Sequence, residues 1–349
     1  MKDIKFNWGL VGHGNIQKYL QTAIVNLHPS HAYVFYGPGK VGKTFLAKNI
    51  AQTVLCDEYR KMGSLDSAVK VNPAELPCGR CDACRQFAKG MHPDLYTVER
   101  EVSEKTGKKK SVIAVGQIRD LLEKISQRAF LNSYKVVIIP EAQALSQEAS
   151  NCLLKTLEEP APRTIIFLIT TNKNLLLPTI LSRSQLFKFL PVPSDAVYEY
   201  LVAEGAGRDE ARELARISRG RPTIAKHFLK DKVRFEEYKN NVQGVLKVLV
   251  NRPLERLKEI EKMFAEDKGG DVALKNLDFL AGLVRDALLC KLGKTELLAN
   301  YFLTTELADL GARAPSGWFC GFLRRVENAR AMIQGNVNPR LVMENLFLE

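Results

Sequence analysis

Three groups of side chains in this chain have the types and the spacing that chemistry needs. The first is Gly37-Pro38-Gly39-Lys40-Val41-Gly42-Lys43-Thr44, which fits G-x-x-x-x-G-K-T. Two glycines let the backbone curl into a nest of N–H donors. The lysine supplies a point charge for β- and γ-phosphates, and the threonine hydroxyl is placed to ligate Mg²⁺. This is a cradle for ATP and Mg²⁺; its bland counterpart is a glycine-rich turn with a solvated lysine. The second group is Cys78-Gly-Arg-Cys81-Asp-Ala-Cys84. C-x2-C-x2-C can converge three thiolates on one side of a short turn, and Cys56 is the natural fourth for a tetrahedral structural Zn²⁺ site. A redox pair or three incidental surface thiols are the competing readings, although nothing nearby supplies a thioredoxin-like context. The third group is Pro140-Glu141, after the apolar run Lys135–Ile139. In a P-loop ATPase this place holds an Asp for the hydrated Mg²⁺ and a Glu that orients water. Proline offers no carboxylate, so only Glu141 remains.

The elements that must position these groups can be read from periodicity. Tyr33–Tyr36 reads as a buried strand, and Phe45, Leu46, Ala47, Ile50 and Ala51 start a helix that runs to about Leu55. Ile16, Tyr19, Leu20, Ala23, Ile24 and Leu27 describe an amphipathic helix ahead of that strand. Residues 57–77 are polar and proline-punctuated, a loop with few apolar residues to hold it. Asp94–Val98 and Val112–Val115 read as strands flanking Arg100–Ser111, a basic tip with Lys105, Lys108, Lys109 and Lys110. Such a run is more often solvated than bound to phosphate. Ile118 to Ala129 and Ser146 to Leu157 have helical period, Thr164–Thr170 is a strand with Thr171 and Asn172 at its end, and Gln185–Leu190 alternates as a strand. Alternating strands and helices over residues 33–190 predict a parallel α/β sheet with chemistry at the strand C-termini. Pro191 and Pro193 mark a boundary. Short helices follow from Val197 to Leu229, then helical segments at 241–265, 271–293, 296–311 and 316–334, in which Cys290 and Cys320 read as core residues.

At 349 residues the chain has room for two or three domains, and 46% hydrophobic with 26% charged residues is an ordinary globular balance. No apolar run approaches the roughly 20 residues of a membrane span, and the first eight residues lack the apolar core of a signal peptide. A cytoplasmic protein is expected. There, seven cysteines matter by spacing rather than as a disulfide framework. The formal charge of +12 favours a polyanionic partner such as nucleic acid, or simply a basic surface.

Taken together, Gly37–Thr44, the four-cysteine module, Leu153-Leu-Lys-Thr-Leu-Glu-Glu-Pro160, Ser182-Arg183-Ser184 and the tail Asn336-Val-Asn-Pro-Arg340-Leu-Val-Met-Glu-Asn345 resemble bacterial replicative clamp-loader subunits of the AAA+ class. The likeness covers essentially the whole chain. It implies an AAA+ P-loop parallel-sheet domain over 1–190 with the zinc module at 56–84 inserted. A small helical lid over 191–235 and an all-α collar over 236–349, joining five subunits in a ring, would follow. The ring would include gamma/tau and delta subunits, open a sliding clamp and close it on primer–template DNA without reading sequence. Arg183 would be an arginine finger offered to a neighbour's ATP, in S-R-S where the family has S-R-C. Asn172 and Arg221 fall at the sensor positions. With Pro140 in place of the acid, the resemblance implies a stator whose own ATPase activity is weak or absent. The competing readings are the gamma/tau motor subunit and a stand-alone P-loop nucleotide kinase. The motor should carry Asp-Glu at 140–141, and its long form has an extended tail where this sequence stops at Glu349. The kinase would need an acceptor pocket with a general base, and no such signature is visible.

Overall fold

The computed structural model describes residues 6, 8–62, 72–103, 107, 109–127, 129–131, 134–264, 270–335 and 337–347. Five strands, β1 (Ala32–Tyr36), β2 (Leu95–Thr97), β3 (Lys135–Ile139), β4 (Thr164–Thr170) and β5 (Gln185–Lys188), form one sheet in the order β2-β3-β4-β1-β5. Every pairing is parallel. The central strands β1, β3 and β4 are buried nearly throughout, which is why they read as unbroken apolar runs. Their side chains alternate between two cores. Tyr33, Phe35, Val136, Ile138 and Phe167 face one layer, and Val34, Val137, Ile139, Ile166 and Leu168 face the other.

The first layer holds helices α1 (Gly14–Val25), α2 (Lys43–Leu55), α3 (Asp57–Met62) and α4 (Asp82–Ala88). The second holds α5 (Val115–Ser126), α6 (Gln147–Glu158) and α7 (Pro178–Ser182). The described ends of the stretch 57–77 are better anchored than its polarity suggests, and residues 63–71 lie outside the described residues. α3 drives Tyr59 into the first core, where its hydroxyl donates to the Ile24 carbonyl at 2.9 Å, and Leu76 is buried in the same cluster. The strand expected at Val112–Val115 is reduced to one bridge between Ile113 and Leu145, because Val115 already opens α5. α5 stops at Ser126, short of Ala129. There the buried Lys135 ammonium donates to the Ile125 and Gln127 carbonyls, satisfying groups that a longer helix would have bonded itself. In the basic tip Lys109 pairs with Glu99 and Lys110 with Glu101, as solvated residues do; Lys105 and Lys108 lie outside the described residues.

Contacts divide the chain into two compact units, residues 1–197 with 220–223, and residues 198–219 with 224–349. The second is all helical, built from most of α8 (Ser194–Ala203), α9 (Arg208–Ser218), α10 (Pro222–Lys230), α11 (Lys232–Val250), α12 (Pro253–Met263), α13 (Gly270–Lys291), α14 (Thr304–Arg313), α15 (Ser316–Gln334) and α16 (Pro339–Asn345). The segment expected as one helix over 241–265 is two, broken at Asn251-Arg252 because Pro253 can begin a helix but not continue one. The helix expected from 296 begins only at Thr304. Before it, the backbone N–H and side-chain amide of buried Asn300 both donate to Asp286 at 2.9 Å, holding that stretch out of helical register. Cys290 packs against this unit's core, but Cys320 is exposed on the outer face of α15, against expectation. Among the described residues no helix is long and apolar enough to cross a membrane.

Candidate nucleotide and metal sites

The loop after β1 has the backbone that a phosphate cradle requires. Gly37 and Gly42 take φ of 131° and 101°, and a Cβ on Gly37 would lie 2.1 Å from the Phe189 carbonyl oxygen, so no other residue fits there. Lys43 and Thr44 form the first turn of α2, whose N-terminal N–H groups face the loop. Pro38 is half-buried, and Gly39 and Lys40 are exposed at the rim, while Val41 is buried beneath. The Lys43 ammonium folds back to donate to the Gly37 and Pro38 carbonyls, each at 2.5 Å. Burial, with the Arg221 guanidinium nearby as a second cause, pushes Lys43 down to about 8. His13 packs its ring on Phe189 at 4.7 Å and sets Nε2 3.3 Å from the Val41 carbonyl. Burial lowers its pKa.

Glu141 follows β3 and Asn172 follows β4, so both stand at the same sheet end as the loop after β1. Their surroundings differ from those of a working ATPase. The Glu141 carboxylate is gripped by Arg100 in a two-pronged pair, Nε to Oε2 at 2.9 Å and Nη2 to Oε1 at 3.0 Å. A carboxylate held this way is a poor orienter of water. The Asn172 side-chain oxygen accepts from the Asn174 N–H at 3.0 Å as a turn cap. Arg221 reaches the loop because residues 220–223 return to the sheet unit, where Val192 donates to the Gly220 carbonyl at 2.8 Å. Sequence reasoning missed Arg100. Its partner is 41 residues away, and only its place just beyond β2, beside β3, could have hinted at it.

Arg183 lies elsewhere. It caps α7 and precedes β5, so it stands at the N-terminal end of a strand whose neighbour β1 carries the phosphate loop at its C-terminal end. The four residues of β5, at about 3.3 Å each, place roughly 13 Å of sheet between those levels. Its guanidinium pairs with Glu158 at 2.7 Å and donates from Nη1 to the Thr179 carbonyl at 3.1 Å and the Ser182 hydroxyl at 3.3 Å.

The four cysteines converge. Cys56 lies directly after α2, Cys78 and Cys81 flank a turn in which Gly79 takes φ of 69°, and Cys84 is in the first turn of α4. All four sulfurs lie within 4.8 Å of one another. Cys56 is 3.6 Å from Cys78 and 3.9 Å from Cys81, and Cys78 is 4.0 Å from Cys84. A tetrahedral ion with Zn–S bonds near 2.3 Å spaces its sulfurs about 3.8 Å apart. The Cys81 and Cys84 N–H groups each donate to the sulfur three residues back at 3.4 Å, a pattern that favours thiolates. The bond from Cys84, followed by backbone N–H groups, pulls the Cys56 thiol down to about 5, and the same bond pushes Cys84 up. Cys56 therefore belongs with the triplet despite the stretch between them.

Residues 12–193 match the model of a family described as DNA polymerase III, delta subunit. Over 223 residues the chain is 36% identical to the DNA polymerase III subunit delta' of Pseudomonas aeruginosa, which covers 63% of this chain and 62% of that relative. It is 28% identical to the DNA polymerase III subunit delta' of Bacillus subtilis over 95% of this chain and 94% of the other. With the DNA polymerase III subunit tau of Bacillus subtilis the identity is 36%, over 54% of this chain and 30% of tau. The chain thus spans less than two thirds of the Pseudomonas relative and under a third of tau. A solved DNA polymerase III gamma subunit-related protein of Thermotoga maritima aligns with 95% of this chain and 97% of its own, at 18% identity and a TM-score of 0.45.

Proposed function

This chain belongs to the family described as DNA polymerase III, delta subunit, and from that premise we propose that it is the delta' stator of a bacterial clamp loader. In this reading residues 1–190 are the P-loop module, 191–235 a lid and 236–349 the collar. The collar holds a cytoplasmic hetero-pentamer with gamma/tau and delta subunits, and the ring loads a sliding clamp onto primer–template DNA through backbone and shape. The supporting observation is the division of labour between the two ends of the sheet. At one end Pro140 replaces the metal-anchoring acid and Arg100 occupies Glu141. At the other, Arg183 stands too far from its own phosphate loop to serve it, which supports a role toward a neighbour's.

The loop after β1 fits a nucleotide's phosphates. The Gly37–Gly42 nest and the α2 N-terminus would hold them, Lys43 would leave its carbonyl partners to neutralise them, and Thr44 would reach Mg²⁺. Bound ATP would act as a structural ligand rather than a fuel. The lone chain is expected to bind a fluorescent ATP analogue while its steady-state phosphate release stays at background; robust turnover by the monomer would favour the gamma/tau or kinase reading. The affinity should depend on pH with a defined sign. Free Lys43 is charged below about 8 and neutral above it, whereas bound phosphates hold it charged. Binding therefore takes up a proton above pH 8, and affinity should be flat below that point and fall up to about tenfold per pH unit above it. Affinity that stays flat or rises between pH 8 and 9.5 would argue that Lys43 does not meet the phosphates.

A further inference from the structure

We infer that Glu158 is the positioning residue for Arg183, so that the finger is delivered in one fixed orientation by its own chain. The inference rests on the finger reading above and adds the residue that makes it work. A guanidinium carries five N–H donors in a rigid fork. Nη1 donates to the Thr179 carbonyl and the Ser182 hydroxyl, and Nη2 forms an ion pair with Glu158 at 2.7 Å. These three contacts use the two terminal nitrogens and not Nε, and a planar fork held in this way can still meet phosphate oxygens as a rigid unit.

Glu158 is well placed to impose this. It is the last residue of α6, a helix fixed at its start by the Ser146 hydroxyl accepting from the Ala149 N–H at 3.1 Å. Leu153 and Leu157 anchor the same helix in the second core layer. The carbonyl end of α6 also carries partial negative charge that draws a guanidinium toward it. Thr179 and Ser182 lie in the one-turn helix α7, which packs against α6. Arg183 remains 35% exposed while bonded in this way, so the cage orients the finger without covering it. An arginine whose rotamer is already chosen loses less entropy when it meets the phosphate, and effects of this kind amount to roughly ten- to hundredfold in rate.

The test uses the full loader reconstituted with its partner subunits, clamp and primed DNA, comparing Arg183→Ala, Glu158→Ala, Glu158→Gln and Arg183→Ala/Glu158→Ala. Glu158→Ala should lower the clamp- and DNA-stimulated kcat with KM for ATP unchanged, and Glu158→Gln, which keeps a neutral acceptor, should fall between it and wild type. In the Arg183→Ala background the second substitution should add nothing, as expected of a residue that acts only through Arg183, and the fall in kcat at unchanged KM is the readout that loss of a merely structural contact would not give. If Glu158→Ala fails to assemble, the isosteric Glu158→Gln carries the comparison. An unchanged or raised kcat in the Glu158 variants, with Arg183→Ala impaired, would overturn the inference and make the pair a parking contact that restrains the finger. An inert Arg183→Ala in an assembled ring would instead remove the finger reading, and this inference with it.

Discussion

Loaders containing Arg183→Ala will assemble and will load clamps slowly. The collar reading places pentamer contacts in the helical unit, and Arg183 belongs to the sheet unit, so its truncation should leave the ring intact. On the finger reading, what it removes is a cation aimed at the charge that develops on a transferring γ-phosphoryl group, an effect on the order of 10³–10⁵ at a single interface. The loss in total ATP hydrolysis will be smaller, because the remaining sites keep their own fingers. Arg183→Lys should recover little, since an ammonium lacks the planar fork that meets Glu158, Thr179 and Ser182 at once and has no paired edge to offer outward. The measurements are size-exclusion chromatography of the ring, stimulated phosphate release and clamp loading on primed circles. Full loading activity in an assembled ring would sink the assignment. A ring that does not form would make the Arg183–Glu158 pair a structural bridge.

The second large effect is expected from the cysteine tetrad. Protein purified without added metal should contain about one Zn²⁺ per chain, and the Cys78→Ser/Cys81→Ser/Cys84→Ser variant should contain none. Four thiolates around one Zn²⁺ are worth on the order of 10–16 kcal/mol in small zinc-finger peptides. The cost here should be less, because Tyr59 and Leu76 hold the module in the first core layer whether or not an ion is present. The variant should therefore fold with a clearly lowered Tm, its damage centred on the C-terminal end of α2 and on α4. The Gly37–Thr44 cradle lies at the other end of α2, a helix of 13 residues and so about 20 Å long, and should keep its nucleotide affinity. Metal-free wild-type protein by elemental analysis, or zinc retained by the triple variant, would end the assignment.

What the sequence disclosed and what it hid follow from the range of the forces involved. β3 and β4 were legible because a strand buried on both faces must be apolar throughout, and the glycine spacing of the phosphate loop was legible because its backbone tolerates little else. The apolar run Val112–Val115 looks like a strand because a local pattern cannot report that Val115 already belongs to α5. The break at Asn251-Arg252 is signalled by Pro253, but the apolar period on either side of it is the stronger local pattern. Cys320 follows the same lesson, since an apolar neighbourhood in sequence does not say which side of α15 a residue occupies. The site residues divide in the same way. Lys43 and the cysteine triplet lie within short motifs. The grip of Arg100 on Glu141 and the cage around Arg183 join residues from separate elements, and only the folded sheet brings them together.

The closeness of the four sulfurs has a further consequence, for handling and for stress. Thiols held within 4.8 Å of one another need little motion to couple. With zinc in place each sulfur's lone pairs are engaged and attack by peroxide is slowed; once the ion is lost, a first sulfenic acid would find a resolving thiol next to it and condense to a disulfide. Oxidation of the metal-free chain would then block remetallation until a reductant cleared it. Zinc capacity should consequently decay in air after chelation and return with a dithiol, whereas protein kept loaded should be indifferent to the same exposure.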